Sequence, residues 1–182
     1  MSAILAANPD LPAALVRQPL EWFAAEHYRH RQFCAAMHEL AEDGAFEVGA
    51  LSAVLEFLRD ELGRHLADEE HDLFPLLRKR ARPEDCVDEV LDRLQAEHRG
   101  DLAHGQALRA HLERCLGSHT APSQDPAVRL ALGAFATQEL HHLALENAVV
   151  LPLARLRLTA RDLKALSRRL AARRGVSLQP AA

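Results

Sequence analysis

His65-Leu66-Ala67-Asp68-Glu69, with Pro75 six residues after the glutamate, recurs as His142-Leu143-Ala144-Leu145-Glu146, with Pro152 again six residues on. Each copy of this H-x3-E-x5-P pattern follows a Glu-His dipeptide, Glu26-His27 before the first and Glu97-His98 before the second. A helix carries residues i and i+4 on one face about a turn apart, so each His/Glu pair projects together from its own helix. An imidazole and a carboxylate so placed can both reach one metal ion or two adjacent ones, and carboxylates that bridge two ions are how a helical bundle builds a dinuclear site. Chance alone would supply about one H-x3-E match in such a chain. A third match, His38-Glu42, lacks the proline and reads as a solvated ion pair near a helix end.

Working outward, apolar residues at spacings of three and four predict four long helices. Pro19 suits a first helical turn, and Leu20, Phe23, Ala24, His27 and Cys34 share a face up to about Glu42, where Asp43-Gly44 stops the helix. The second helix is expected over 46–79, kinked around Asp72–Pro75 because Pro75 removes a backbone bond and crowds the preceding turn. Pro83 is expected to open the third helix, which runs to about Leu116. Gly117 to Asp125 is a loop. Asp125 as N-cap and Pro126 as first residue start the fourth helix, which Pro152 kinks or ends near Leu151. Thr159 and Asp162 cap a last, basic helix that stops near Gly175.

The fold class is therefore all-α, an up-down-up-down four-helix bundle with an additional short C-terminal helix. The chain divides into an arm over 1–18, loose, extended or strapped over the bundle, the bundle over 19–155, and a basic helix and tail over 156–182. Scarce aromatics and abundant Leu, Ala, Glu and Arg agree with packed helices, and 182 residues suffice for one core.

A formal charge of −4 argues against nucleic acid or an anionic membrane as partner. Residues 155–175 nevertheless sum to about +7 and the rest to about −11, so the tail is expected to dock on the acidic body or on an acidic protein partner. Cys34, Cys86 and Cys115 are odd in number without CxxC spacing, which indicates neither a disulfide framework nor a zinc ribbon and points to the cytoplasm. No apolar run approaches the ~20 residues needed to span a bilayer.

In order and spacing, His27, then His65-x3-Glu69-Glu70 ending in Leu73-Phe74-Pro75, then His98, then His142-x3-Glu146 resembles the hemerythrin-like HHE cation-binding domain over roughly residues 20–155. The resemblance implies a non-haem di-iron centre bridged by two carboxylates and a solvent-derived oxygen. Its ligands would be His27, His65, Glu69, His98, His142 and Glu146. The oxygen-carrying members have a second histidine four residues after that of helix three, where this chain has Leu102. Stable oxygen carriage is put in doubt, and His30 and Glu70 become candidate substitute ligands. Zinc suits the ligand types, but two bridging carboxylates suit dinuclear iron better.

His71, His104, His111, His119 and His141 lie off the pattern and read as surface residues, and Cys34 as a small buried one. Phe23, Leu62, Leu94 and Val149 are expected to limit water access to the centre. Three functions compete: a di-iron protein that binds or senses O2, NO, peroxide or iron; a di-iron peroxidase or oxidase; and a metal-stabilised interaction module acting through its basic helix. Ferritin-like storage fits poorly, because that class uses Glu-x-x-His.

Overall fold

The computed structural model describes residues 11–178, and among these there is no strand. Helix α1 is Pro19–Glu42. Helix α2 covers 48–80, α3 is Val87–Ser118, α4 covers 126–157, and α5 is Ala160–Arg173. Neighbours in sequence pack together and α4 returns against α1, closing a ring of four antiparallel helices. The starts follow local chemistry. Asp125 accepts the Ala127 N–H at 2.8 Å, and Thr159 and Asp162 cap α5 reciprocally.

The prolines carry the expected local distortion in the form of a π turn. Each lies just after a widened π turn, Glu69–Leu73 before Pro75 and Glu146–Val150 before Pro152. The Phe74 N–H reaches the Glu69 carbonyl and the Leu151 N–H that of Glu146, both five residues back. A wider turn relieves the clash between a proline ring and the carbonyl four residues earlier, so each helix continues, α2 to Arg80 and α4 to Arg157. A third π turn, Phe57–Glu61, has no proline.

Three further boundaries move. Helix α2 starts at Val48. Pro83 opens only a 3-10 turn, Pro83–Asp85, because Cys86 takes a left-handed conformation (φ 47°) that interrupts the helix before Val87. Helix α3 runs on to Ser118 and stops at left-handed His119 (φ 54°). In the arm, Ala13–Arg17 forms a 3-10 turn whose fully buried Val16 packs with α5, so this part is not loose. The arm's residues 1–10 lie outside those described.

Two apolar cores fill the bundle. One, at the end joined by the α3–α4 loop, holds Phe33, Met37, Leu51, Leu112, Leu132 and Phe135. The other, at the proline end, holds Phe23, Phe74, Leu77, Leu91, Leu94 and Val150 and is completed by Leu166 and Leu170 of α5. Water exclusion on α4 falls to Val150, fully buried, rather than to half-buried Val149, because the π turn rotates the face beyond Glu146.

The basic tail docks on the acidic body. Arg174 meets Glu26 and Asp68, each at 2.6 Å, and its guanidinium lies 4.5 Å over the Trp22 ring. Arg173 pairs with Asp68 and Asp72, and Arg169 with Asp72. Before α5, Arg157 donates to Asp85 from Nε and Nη2 at 2.8 and 2.6 Å, and the Arg82 N–H adds a third bond. The Arg157 guanidinium, with that N–H, holds the Asp85 carboxyl down to about 2. A carboxylate depressed in the folded state stabilises it fully above its unfolded value, and this contribution is lost as the pH falls from about 4 towards 2. Asp85→Asn is therefore expected to lower the Tm of the metal-free protein at pH 7 and to match the parent near pH 2. Thermal melts at both values check this, and a gap persisting at pH 2 would mean lost packing instead.

Candidate metal centre

Between the two apolar cores lies a layer of six polar side chains, His27 from α1, His65 and Glu69 from α2, His98 from α3, and His142 and Glu146 from α4, all at most 2 % exposed. Their ligand atoms form two overlapping groups. His27, His65, Glu69 and Glu146 bring four atoms within 4.8 Å of one another, and so do His98, His142, Glu69 and Glu146. Both glutamates belong to both groups. Each group takes its histidines from one sequence half, the first from α1 and α2, the second from α3 and α4.

Every histidine turns Nε2 inward. His27 Nε2 lies 3.6 Å from Glu69 and 3.4 Å from Glu146, His65 Nε2 3.5 Å from Glu69, and His98 Nε2 3.6 Å from Glu69. The Nε2 atoms of His98 and His142 converge to 3.0 Å. Outward, the Nδ1 atoms meet a regular set of partners. His65 Nδ1 lies 3.2 Å from Glu26, His98 Nδ1 2.8 Å from Glu70, and His27 Nδ1 3.2 Å from the Asn147 carbonyl oxygen. His142 Nδ1 faces Glu97 at 3.5 Å and Asp101 at 3.9 Å.

The family model of the hemerythrin HHE cation-binding domain matches residues 18–154. The chain belongs to the hemerythrin HHE family. A search of curated proteins finds no match. Cation binding belongs to the family's description, and this chain's donor set fits it. Both oxygens of Glu69, one of Glu146, and Nε2 of His27 and of His65 are buried without a hydrogen-bond partner. Groups left so would each cost free energy, and a cation among them satisfies all at once.

The electrostatics agree. Burial, then the Glu146 charge, pushes the Glu69 carboxyl well up. Burial would raise Glu146 as well, but the His142 imidazolium holds it well down; in return, and against its own burial, His142 rises to about 9. Burial takes His27 down to about 4 and also lowers His65. Glu69, kept protonated by burial, and Glu146, held by the His142 imidazolium, thus stand beside two imidazoles kept neutral, a set in which a bound cation takes the place of the protons on Glu69 and His142.

Aromatic rings wall the layer. Phe74 stacks on His98 with centroids 5.7 Å apart, and Phe23 meets His65 edge-on at 6.1 Å. Three sequence expectations are re-placed by the structure. Glu70 does not enter either group; its carboxylate accepts from His98 on the outer side. His30 joins neither, being paired with buried Glu139 at 2.8 Å. Leu102 is 41 % exposed on the outer side of α3, whereas Leu94, one turn before His98, is fully buried, so neither flanking turn of α3 brings a second histidine inward.

His38 and Glu42 lie outside both groups. His71, His104, His119 and His141 are exposed, His111 is half-buried, and Cys34 is buried. The outer partners were missed in sequence, although their signal was there. The Glu-His dipeptide sends its histidine inward and its glutamate to the other helix's histidine, and the residue after each shared glutamate, Glu70 or Asn147, reaches across to the opposite half.

Proposed function

We propose that the chain holds two iron ions, one between His27 and His65 and the other between His98 and His142, with Glu69 and Glu146 shared by both, and that it binds or senses O2, NO or peroxide. The observation that carries this reading is the pair of carboxylates common to both four-residue groups. Iron would supply the redox-active, ligand-accepting chemistry. The residues do the rest: Glu26, Glu70 and Asn147 orient His65, His98 and His27, Glu97 places a charge 3.5 Å from His142, and Phe23, Phe74, Leu94 and Val150 keep water out.

Two imidazoles and two shared carboxylates supply fewer donors to each ion than an octahedral site takes, which leaves room for an exogenous ligand and favours sensing or reactivity over stable carriage. A surface cleft of about 930 Å³ between α3 and α4, lined by Glu97, Gln138 and His141, ends at the residue that faces His142. Three free cysteines, two of them buried, suit a reducing cytoplasm, and no helix among the described residues is long and apolar enough to cross a membrane.

The interaction-module reading is less favoured, because Arg169, Arg173 and Arg174 are committed to the chain's own acids. Protein expressed with ample iron is expected to carry two irons per chain, to show a near-ultraviolet ligand-to-metal band in air, and to change its spectrum on exposure to NO. Iron-free protein under those conditions overturns the proposal, and turnover of peroxide abolished by His142→Ala would move it to the enzyme class.

A further inference from the structure

The four outer contacts obey a pseudo-twofold relation between the sequence halves. Glu26 on α1 faces His65 on α2, as Glu97 on α3 faces His142 on α4. Across the halves, Glu70, the residue after Glu69, faces His98, as Asn147, the residue after Glu146, faces His27. At that last position the symmetry breaks chemically, since a carboxylate serves one half and a carboxamide the other. The amide's orientation is settled, because Asn147 Nδ2 donates to the Leu143 carbonyl at 2.7 Å, which turns Oδ1 towards His27.

An outer carboxylate that accepts the imidazole N–H makes the other nitrogen a stronger donor to metal than a neutral acceptor does. His27 alone of the four has the neutral acceptor. The second histidine of that position, His65, has its carboxylate partner Glu26 also held by Arg174 at 2.6 Å in a contact only about a tenth exposed. On the other side, among the described residues, Glu70 serves His98 at 2.8 Å with no cation on it, and His142 Nδ1, which has no hydrogen-bond partner, lies in the field of two carboxylates, Glu97 at 3.5 Å and Asp101 at 3.9 Å. Among the described residues the cation there is Arg93 on Glu97, which is two-thirds exposed and so screened by water.

From this asymmetry, and resting on the two-ion reading above, we infer that the two metal positions are unequal: the one built on His98 and His142 binds a divalent ion first and tightly, and the one built on His27 and His65 is labile, with Asn147 and Glu70 the positioning residues that set the difference. The loss of an outer partner typically changes affinity by about ten- to a hundred-fold, which is the gap expected between the two steps.

Titration of the metal-free protein with cobalt(II), followed by calorimetry and by the visible absorption of the bound ion, tests this without any assay of activity. The parent is expected to bind two ions in two resolved steps. His27→Ala should remove the weaker step and keep the tighter one, and His98→Ala should remove the tighter. Asn147→Glu, which places at this position the side chain that the other half uses, should narrow the gap about ten-fold or more, and Glu70→Asn should narrow it from the other side. Two ions bound with equal affinity, or a gap unmoved by both exchanges, overturns this inference and leaves the two-ion centre standing. No ion bound overturns both.

Discussion

Glu69→Gln is expected to weaken both metal ions by more than about a hundred-fold, beyond what loss of an outer partner costs, while leaving the metal-free fold at least as stable as the parent. Glu69 belongs to both four-residue groups, so a neutral amide there removes charge from two positions at once. In the metal-free chain neither of its oxygens has a close hydrogen-bond partner, and burial beside Glu146 already drives its carboxyl up, so a neutral amide there gives up only weak contacts with His27, His65 and His98 at 3.5–3.6 Å. Glu146→Gln is the contrasting variant. It also loses metal, but it takes from His142 a buried partner at 2.8 Å and should lower the metal-free Tm, since breaking a buried pair is strongly destabilising. Metal content and thermal melts of the two variants check both statements. A metal-free Glu69→Gln that melts well below the parent would make Glu69 a structural residue.

Chelation is the second large effect. An ion that binds only the folded state at a free concentration a hundred times its dissociation constant stabilises by about 2.7 kcal/mol, so two ions contribute about 5 kcal/mol. For a chain of this size that is roughly 10–20 °C in Tm. Scanning calorimetry with a chelator against iron(II) or zinc measures it, and the same scan on Glu69→Gln should show almost no metal dependence. A parent Tm indifferent to metal would mean that the buried layer folds around no ion. The gain should come without a change in helix content, because the two apolar cores on either side of the layer hold the helices together on their own.

Much of this layer is legible along single helices. His65 and Glu69, or His142 and Glu146, share a face because four residues span about one turn, and the caps at Asp125 and Thr159 act on N–H groups two or three residues away. The rotation of a long helix about its axis is a different matter. Leu94 and Leu102 stand about 40° to either side of His98 in an ideal helix, and only the packing of α2 and α4 against α3 decides that Leu94 faces in and Leu102 out. The π turns add to this. Each inserts a residue into the helical count, so the stripe before Glu146 does not predict that Val150 rather than Val149 closes the site.

What the amino-acid order settles by itself is therefore the local part: an all-α chain, the proline-led or capped starts of α1, α4 and α5, and the six side chains of the buried layer, because periodicity and capping act within a turn or two. Tertiary structure alone decides which atoms meet across helices. It puts both glutamates in both groups, sends Glu70 outward to His98 and His30 to Glu139, and lays Arg174, just past α5, on Glu26, which in turn faces His65. The physical reason is that a carboxylate or guanidinium can satisfy its charge with any of several partners of opposite sign, and only the packing of the apolar faces selects which one lies within reach.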